Sequence, residues 1–387
     1  MNDLIVLVDT YPYPANTGGK IAISALIEGL SRYYRIHLVA VAYPGYSSAP
    51  EYVNSVHLAE ERRVSLTKWE TIRAVSAAWI HGLPYMVYRS RYNKLFQIVK
   101  HLNKTFPEAR LVVGSLQMVQ YTHNTRFWLI EPNVEYSLER GRIQLTSGIQ
   151  RWAWAIESII TRHFEVASLR RAYRILTFSP LDRDIIRRDV GIDDIKIRNM
   201  YPPILESWGR AGKEGRWAAI VGSALWPENS HGLKWFLQQV MPHLSLSTRI
   251  WVLGEGVGRI VSQTGYTSRV RILEQFRSLS DFISDIRALI VPIQNGSGIR
   301  IKILQALEAG LPVISTSMGA RGLPVEETGI VIAHTPEDMA EAIMSLETDP
   351  ETWTERVRKG QQFVKRHCQM DIFSNELYKW LTLDEIG

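Results

Sequence analysis

One segment, VPIQNGSGIRIKILQALEAGLPVIST at 291–316, constrains the fold more than any other part of the chain. It reads as an apolar strand ending at Pro292, then a turn with Gly296, Ser297 and Gly298, then a helix. Gly310 closes that helix, Pro312 follows, and a second short apolar strand begins. Strand, glycine turn, helix and strand in immediate succession build a parallel sheet. The two glycines let backbone amides come close to a ligand, and a helix N-terminus offers unpaired N–H groups to an anion. Arg300 and Lys302 add cations at the same place. Phosphate chemistry at this turn is the first expectation.

The same alternation recurs along the 387 residues. In the N-terminal half, residues 4–8 form an apolar run, followed by the loop TYPYPANTGG. Ile21, Ala25, Leu26, Ile27 and Leu30 then give a helical stripe over 20–32, and 36–42 reads as the next strand. Further strands are expected at 111–114, 127–130 and 174–178, with a long helix over 149–171. The composition changes near Arg198, where 199–216 holds two prolines and three glycines with little periodicity. Strands then fall at 217–221, 249–253, 270–273 and 288–292, with helices at 232–240 and 279–286. The chain is longer than one core usually serves. The expected architecture is α/β, with two Rossmann-like, doubly wound parallel-sheet domains facing a cleft. Residues 1–198 form the first, 199–216 a linker, and 217–365 the second. A C-terminal helical segment at 366–387 packs back on the first. In such sheets ligands bind at the carboxyl ends of the strands.

Composition removes several alternatives. A single cysteine, Cys368, excludes a disulfide framework and fits a reducing cytoplasm. The ten histidines are scattered, with no zinc-ligand spacing, so no metal site is expected. The N-terminus lacks the pattern of a signal peptide, and no run reaches the roughly 18 apolar residues of a membrane span. The net charge of +6 favours an acidic partner. Nucleic acid is the weaker choice, since the basic residues are spread out and no reader motif is present.

Other turns extend the phosphate expectation. Asn16-Thr17-Gly18-Gly19 lies between the first strand and a helix, as a ligand loop or a plain tight turn. Gly222-Ser223 and Gly254-Glu255-Gly256 each follow a strand of the second half. With Gly296–Gly298 they place glycine turns at three strand ends of one domain, where they can line a single pocket. Lys302 and Gln305 share a helical face. Glu135 follows the strand ending at Ile130, either as a cleft carboxylate or as a complement to a helix dipole. His123 is weighed as a cleft base against a surface role. Over 149–171, Ile149, Trp152, Ala153, Ile156, Ile159, Ile160, Val166 and Ala167 form an apolar stripe opposite Arg151, Arg162, Arg170 and Arg171. The expected use is core packing. The alternative is peripheral contact of the basic, Trp-bearing end with an anionic membrane.

These residues resemble the retaining glycosyltransferases of family 4, which have the GT-B fold. The likeness rests on VGSALWPENSHGLKWF (221–236), WVLGEG (251–256), the 291–316 segment and MGARGL (318–323). In the N-terminal half it rests on DTYPYPANTGGKI (9–21), EPNVEYSLERGR (131–142) and ILTFSPLDRDII (175–186). The resemblance implies a donor side in the second domain and an acceptor side in the first. A nucleoside-diphosphate sugar, UDP- or GDP-linked, would be held by Gly222, Ser223, Gly254, Ser297, Gly298, Ile299, Arg300, Lys302 and Gln305. The turn 274–276, with Phe276, would meet the base, and Gly18 and Gly19 would close over the phosphates or sugar. Arg300 and Lys302, with Glu135, carry the catalytic assignment. No metal or other cofactor is implied, because cations and amides stabilise the leaving group. One departure stands out: Gln305 occupies a position where the family usually has a ribose-binding glutamate.

The implied activity is transfer of a hexose-type sugar to a hydroxyl of a sugar, lipid-linked or small-molecule acceptor, in the cytoplasm. The alternatives are a nucleotide-sugar epimerase of the same architecture and a weakened nucleotide-sugar-binding protein.

Overall fold

The computed structural model describes residues 1–43, 45–59, 67–123, 125–212, 215–276 and 278–382, without the side chains of 144, 145 and 347. The chain forms two compact units. One is Met1–Pro203 together with Met370–Gly387, and the other is Ile204–Gln369.

The first unit is built on seven strands: β1 (Asn2–Leu7), β2 (Tyr34–Val41), β3 (Val53–Ala59), β4 (Arg110–Val113), β5 (Phe127–Glu131), β6 (Arg174–Thr177) and β7 (Ile197–Asn199). They run in the order β3-β2-β1-β4-β5-β6-β7, and every pairing is parallel. Leu4–Leu7 and Leu111–Val113 are fully buried, as a sheet covered on both faces requires. The second unit has six: β8 (Trp217–Val221), β9 (Ile250–Leu253), β10 (Val270–Leu273), β11 (Ile286–Val291), β12 (Val313–Ser315) and β13 (Val331–Ile332). Their order is β10-β9-β8-β11-β12-β13, again all parallel. The chain winds outward in both directions from the β1/β4 pair and from the β8/β11 pair, so each sheet has one topological switch point.

Some expectations change. The 279–286 segment is not a helix. It forms two three-residue 3₁₀ turns, Leu279–Asp281 and Ile283–Asp285, and Ile286 already opens β11. Phe282 between them leaves helical geometry, at φ −128° and ψ −2°. The helix expected at 232–240 starts earlier, at Pro227, and its last five residues are a π-turn. Residues 204–212, 215 and 216 belong to the second unit: Ala211 N–H donates to Ala309 O and Arg216 N–H to Asp285 O. A Cβ on Gly212 or Gly215 would overlap the backbone of Ser284 or Ile286.

The apolar stripe of the Gly148–Arg171 helix also departs from its expected use. Ile149, Trp152, Ile156 and Ile159 point to solvent, and the buried face is Glu157, Ser158, Thr161, Glu165, Ser168 and Leu169. The helix is inverted because its polar face has partners inside. Glu165 accepts hydrogen bonds from the N–H groups of Glu135 and Tyr136, satisfying the start of the Glu135–Leu145 helix. Glu157 accepts from Trp79 Nε1 and the Tyr85 N–H.

The Met370–Thr382 helix lies against the Gly18–Ser31 helix of the first unit. Phe373, Leu377 and Trp380 are buried, and the Tyr33 and Tyr378 rings stack at 4.5 Å.

Candidate functional site

The switch point of the second sheet lies between β8 and β11, and the glycine turns expected from the sequence converge there. Register pairs Val221 with Leu253, so Gly222 and Gly254 leave adjacent strands together. Gly222 N–H donates to Leu253 O at 2.8 Å, and a Cβ on Gly254 would overlap Gly222 O. Both glycines have φ near +150°, which favours glycine on conformational grounds as well.

On the β11 side the turn 294–300 leads into the Ile301–Ala309 helix. Arg300 is its N-cap in extended geometry, with no side-chain cap and no acid in the first turn. The first amides therefore remain available to an anion, reinforced by the helix dipole. Gly296 and Gly298 take positive φ values of 130° and 68°. The Arg300 guanidinium folds back over this turn, donating to Ser297 O at 2.6 Å. Ser297 is buried, and its hydroxyl has no hydrogen-bond partner among the described residues.

Lys302 reaches across to the neighbouring strand. Its Nζ donates to Val221 O at 2.6 Å and to Asn229 Oδ1 at 3.3 Å. Desolvation, with the Arg300 cation adding repulsion, lowers its pKa to about 7. Asn229 escaped the sequence reading although it lies within the 221–236 motif. Its amide also donates to Ser223 O, tying the Gly222-Ser223 turn to the lysine. A polar residue in the first turn of the helix after a glycine turn is the signal that would have found it. The walls of a small cavity here include Gly222, Asn229, Pro292, Ile293 and Lys302.

Two other expected residues sit close by. Gln305 is buried, and its Nε2 donates to Glu206 O at 3.2 Å, so part of this amide is spent on the 204–209 segment. Phe276, half-buried just beyond β10, packs edge-to-face on Phe282, which packs in turn on buried Trp251. Glu274 accepts from the Gly258 N–H and so anchors the same rim.

Gly18, Gly19 and Glu135 belong to the other unit. Gly18 and Gly19 are exposed at the start of the Gly18–Ser31 helix, where Thr17 makes no side-chain cap and the first turn holds no acid. Neither has positive φ, and a Cβ on either would meet nothing within 4 Å. Packing within the unit does not require glycine at either position. Glu135, half-buried, opens a helix beyond the carboxyl end of β5, and desolvation raises its pKa to about 7. Buried Glu131 and Glu165 are likewise shifted upward, by desolvation first and by each other or by Glu135 next. His123 is exposed and precedes β5, at the edge opposite the carboxyl ends, so it takes the surface role.

Residues 216–349 match the family described as glycosyl transferases group 1. No curated protein sequence matches the chain. Among solved structures, sucrose-phosphate synthase from Thermosynechococcus elongatus superposes with a TM-score of 0.73 at 14% identity, covering 99% of this chain and 100% of that one. HepE from Anabaena, in complex with UDP and glucose, gives 0.68 at 9% identity over 98% and 100%. WaaG, a glycosyltransferase involved in lipopolysaccharide biosynthesis, gives 0.63 at 14% identity over 97% and 99%. At these identities the superpositions speak for the fold, and the match over 216–349 speaks for the activity. Residues 216–349 are a glycosyl transferases group 1 domain, and the chain as a whole has the GT-B fold and is a glycosyltransferase.

Proposed function

We propose that the protein is a retaining, metal-independent glycosyltransferase, moving a hexose-type sugar from UDP or GDP to an acceptor hydroxyl. The observation that carries this reading is the β8/β11 switch point, where two abutting glycine turns, an uncapped helix start and two cations occupy one place. The diphosphate is the ligand this arrangement suits: Arg300, Lys302 and the amides after Gly298 meet its charge, and Gly222 and Gly254 let it approach the backbone. Ser297 Oγ supplies a further donor, and Phe276 offers a ring face to the base. HepE's complexes with UDP and UDP-glucose support a uridine nucleotide in this fold.

In the proposed reaction the bond from the sugar's anomeric carbon to the diphosphate oxygen breaks. The acceptor oxygen bonds to the same face, and its proton passes to the departing phosphate. Charge on the leaving group grows in the transition state, so Arg300 and Lys302 act more strongly there than on the bound donor. Those cations take the part a divalent metal plays elsewhere. Acceptors of the sugar, lipid-linked and small-molecule classes all present the required hydroxyl, and Glu135, with its raised pKa, is assigned to that side.

Thermal-shift measurement across a panel of nucleoside diphosphates and nucleotide sugars tests the donor, since a ligand that binds the native state raises Tm by mass action. Incubation with the stabilising donor alone then separates the alternatives. Slow hydrolysis marks a transferase, conversion of the sugar an epimerase, and an intact donor a pure binder. Chelator should leave turnover unchanged.

A further inference from the structure

The Gly148–Arg171 helix turns its oily side to water. Ile149 is 86% exposed and Trp152 73%, with Ile156 and Ile159 continuing the stripe at intervals of four and three residues. This is one side of a helix over more than two turns, not scattered exposure. The neighbouring Lys68–Ile80 helix does the same. Only Ala78 of its thirteen residues is buried, and Trp69, Ile72 and Ile80 are exposed. The hydrogen bond from Trp79 Nε1 to Glu157 joins the two helices one residue from Ile80 and Ile156.

Exposed charge on these two helices is predominantly positive. Both acids of the Gly148–Arg171 helix, Glu157 and Glu165, are buried, while Arg151, Arg162 and His163 are exposed beside the apolar stripe. Lys68 and Arg73 add cations on the second helix, whose one acid, Glu70, is engaged with the backbone and hydroxyl of Thr67. The wider sequence follows the same bias: residues 1–203 hold 26 Lys and Arg against 18 Asp and Glu, whereas 204–387 hold 19 against 21. No described helix is long and apolar enough to cross a membrane.

We propose that this two-helix face docks on an anionic lipid bilayer, with Trp152, Ile149 and Trp69 entering the headgroup boundary and the flanking arginines meeting lipid phosphates. Tryptophan beside isoleucine, ringed by cations, is the composition of an interfacial helix. A second copy of the chain is the poorer occupant. A two-fold contact would set the face against itself and bring Arg151 and Arg162 toward cations of their own kind. The inference stands independently of the donor assignment, since none of these residues belongs to the nucleotide site.

The test is co-sedimentation of the full chain with vesicles of pure phosphatidylcholine and with vesicles containing equal parts phosphatidylcholine and phosphatidylglycerol. Binding is expected to the anionic vesicles only, weakening as salt rises. Arg151→Gln and Arg162→Gln should each reduce partitioning about fivefold. Trp152→Ser combined with Ile156→Ser should reduce it by at least about tenfold, with Tm unchanged. Ile149→Ser serves as a second apolar variant if that pair does not fold. Failure to pellet with anionic vesicles at low salt, or equal pelleting by wild type and the folded variants, would overturn the proposal. So would a concentration-dependent dimer that Trp152→Ser abolishes.

Discussion

Lys302 is placed where an ammonium group is held only loosely to its proton, and this has a measurable consequence. With its pKa lowered to about 7, the side chain is partly neutral in the unliganded protein at neutral pH. A bound diphosphate favours the charged form and moves the pKa back up. Below pH about 7 the lysine is protonated with and without ligand, and affinity is flat. Above it, binding must take up a proton, so donor affinity should fall by up to about tenfold per pH unit. Calorimetry with a nucleotide sugar in buffers of differing ionisation enthalpy would show that uptake, and Lys302→Arg should flatten the profile. A wild-type affinity independent of pH between 7 and 9 would separate Lys302 from the diphosphate. The second residue-scale prediction concerns chemistry. Arg300→Ala and Lys302→Ala should each cut turnover at least tenfold, because a charge-assisted bond to the leaving group contributes roughly 1.5–3 kcal/mol. Normal turnover in both folded variants would remove the assignment. The placing of Arg300 and Lys302 together at one turn was legible in the sequence, because an apolar strand, a glycine turn and a helix in succession fix where they stand. The role of Asn229 was not, since one amide side chain carries no pattern until the lysine is seen to reach it across the sheet.

At the scale of elements, the strands were read well wherever they were apolar and central. The edge strand β3 was missed, because VNSVHLA has neither a continuous apolar run nor a clean period of two. The Gly148–Arg171 helix was located to within a residue, yet its buried face was assigned backwards. Periodicity reports which side of a helix is apolar. It does not report that two glutamates on the other side have backbone N–H groups waiting inside. The Gly18–Ser31 helix gives the opposite lesson. Its start was read as a ligand loop or a plain tight turn, and within its own unit neither Gly18 nor Gly19 meets a steric or conformational need for glycine. Gly19→Val should therefore leave Tm within about 0.5 kcal/mol of wild type in stability terms. Turnover should fall while donor binding, carried by the second unit, is kept. Unaltered specific activity would exclude this helix start from the reaction.

For the whole molecule, two parallel-sheet units were foreseeable from the repeated strand–turn–helix pattern and the composition shift near Arg198. The return of the last residues to the first unit was expected too, but their seat on the Gly18–Ser31 helix was not legible, since a short amphipathic helix can cover any apolar surface. The Met370–Thr382 helix completes the first unit, with Phe373, Leu377 and Trp380 each contributing about 1.5–3 kcal/mol of burial. Truncation after Gln369 should accordingly lower the melting temperature of the N-terminal unit while nucleotide-induced stabilisation of the other persists. Calorimetry of the truncated chain would resolve the two transitions, and an unshifted first transition would refute the dependence.

That return of the chain also governs the order of events on the ribosome. Residues 1–203 emerge before the second unit, with the seven strands of their sheet, but the helix that seals Gly29 and Tyr33 is made only after that unit. The nascent N-terminal sheet must wait, with the Gly18–Ser31 helix uncovered, through synthesis of the entire second unit. A chain released before residue 370 is thus left with an open apolar seam in a unit whose sheet is already made.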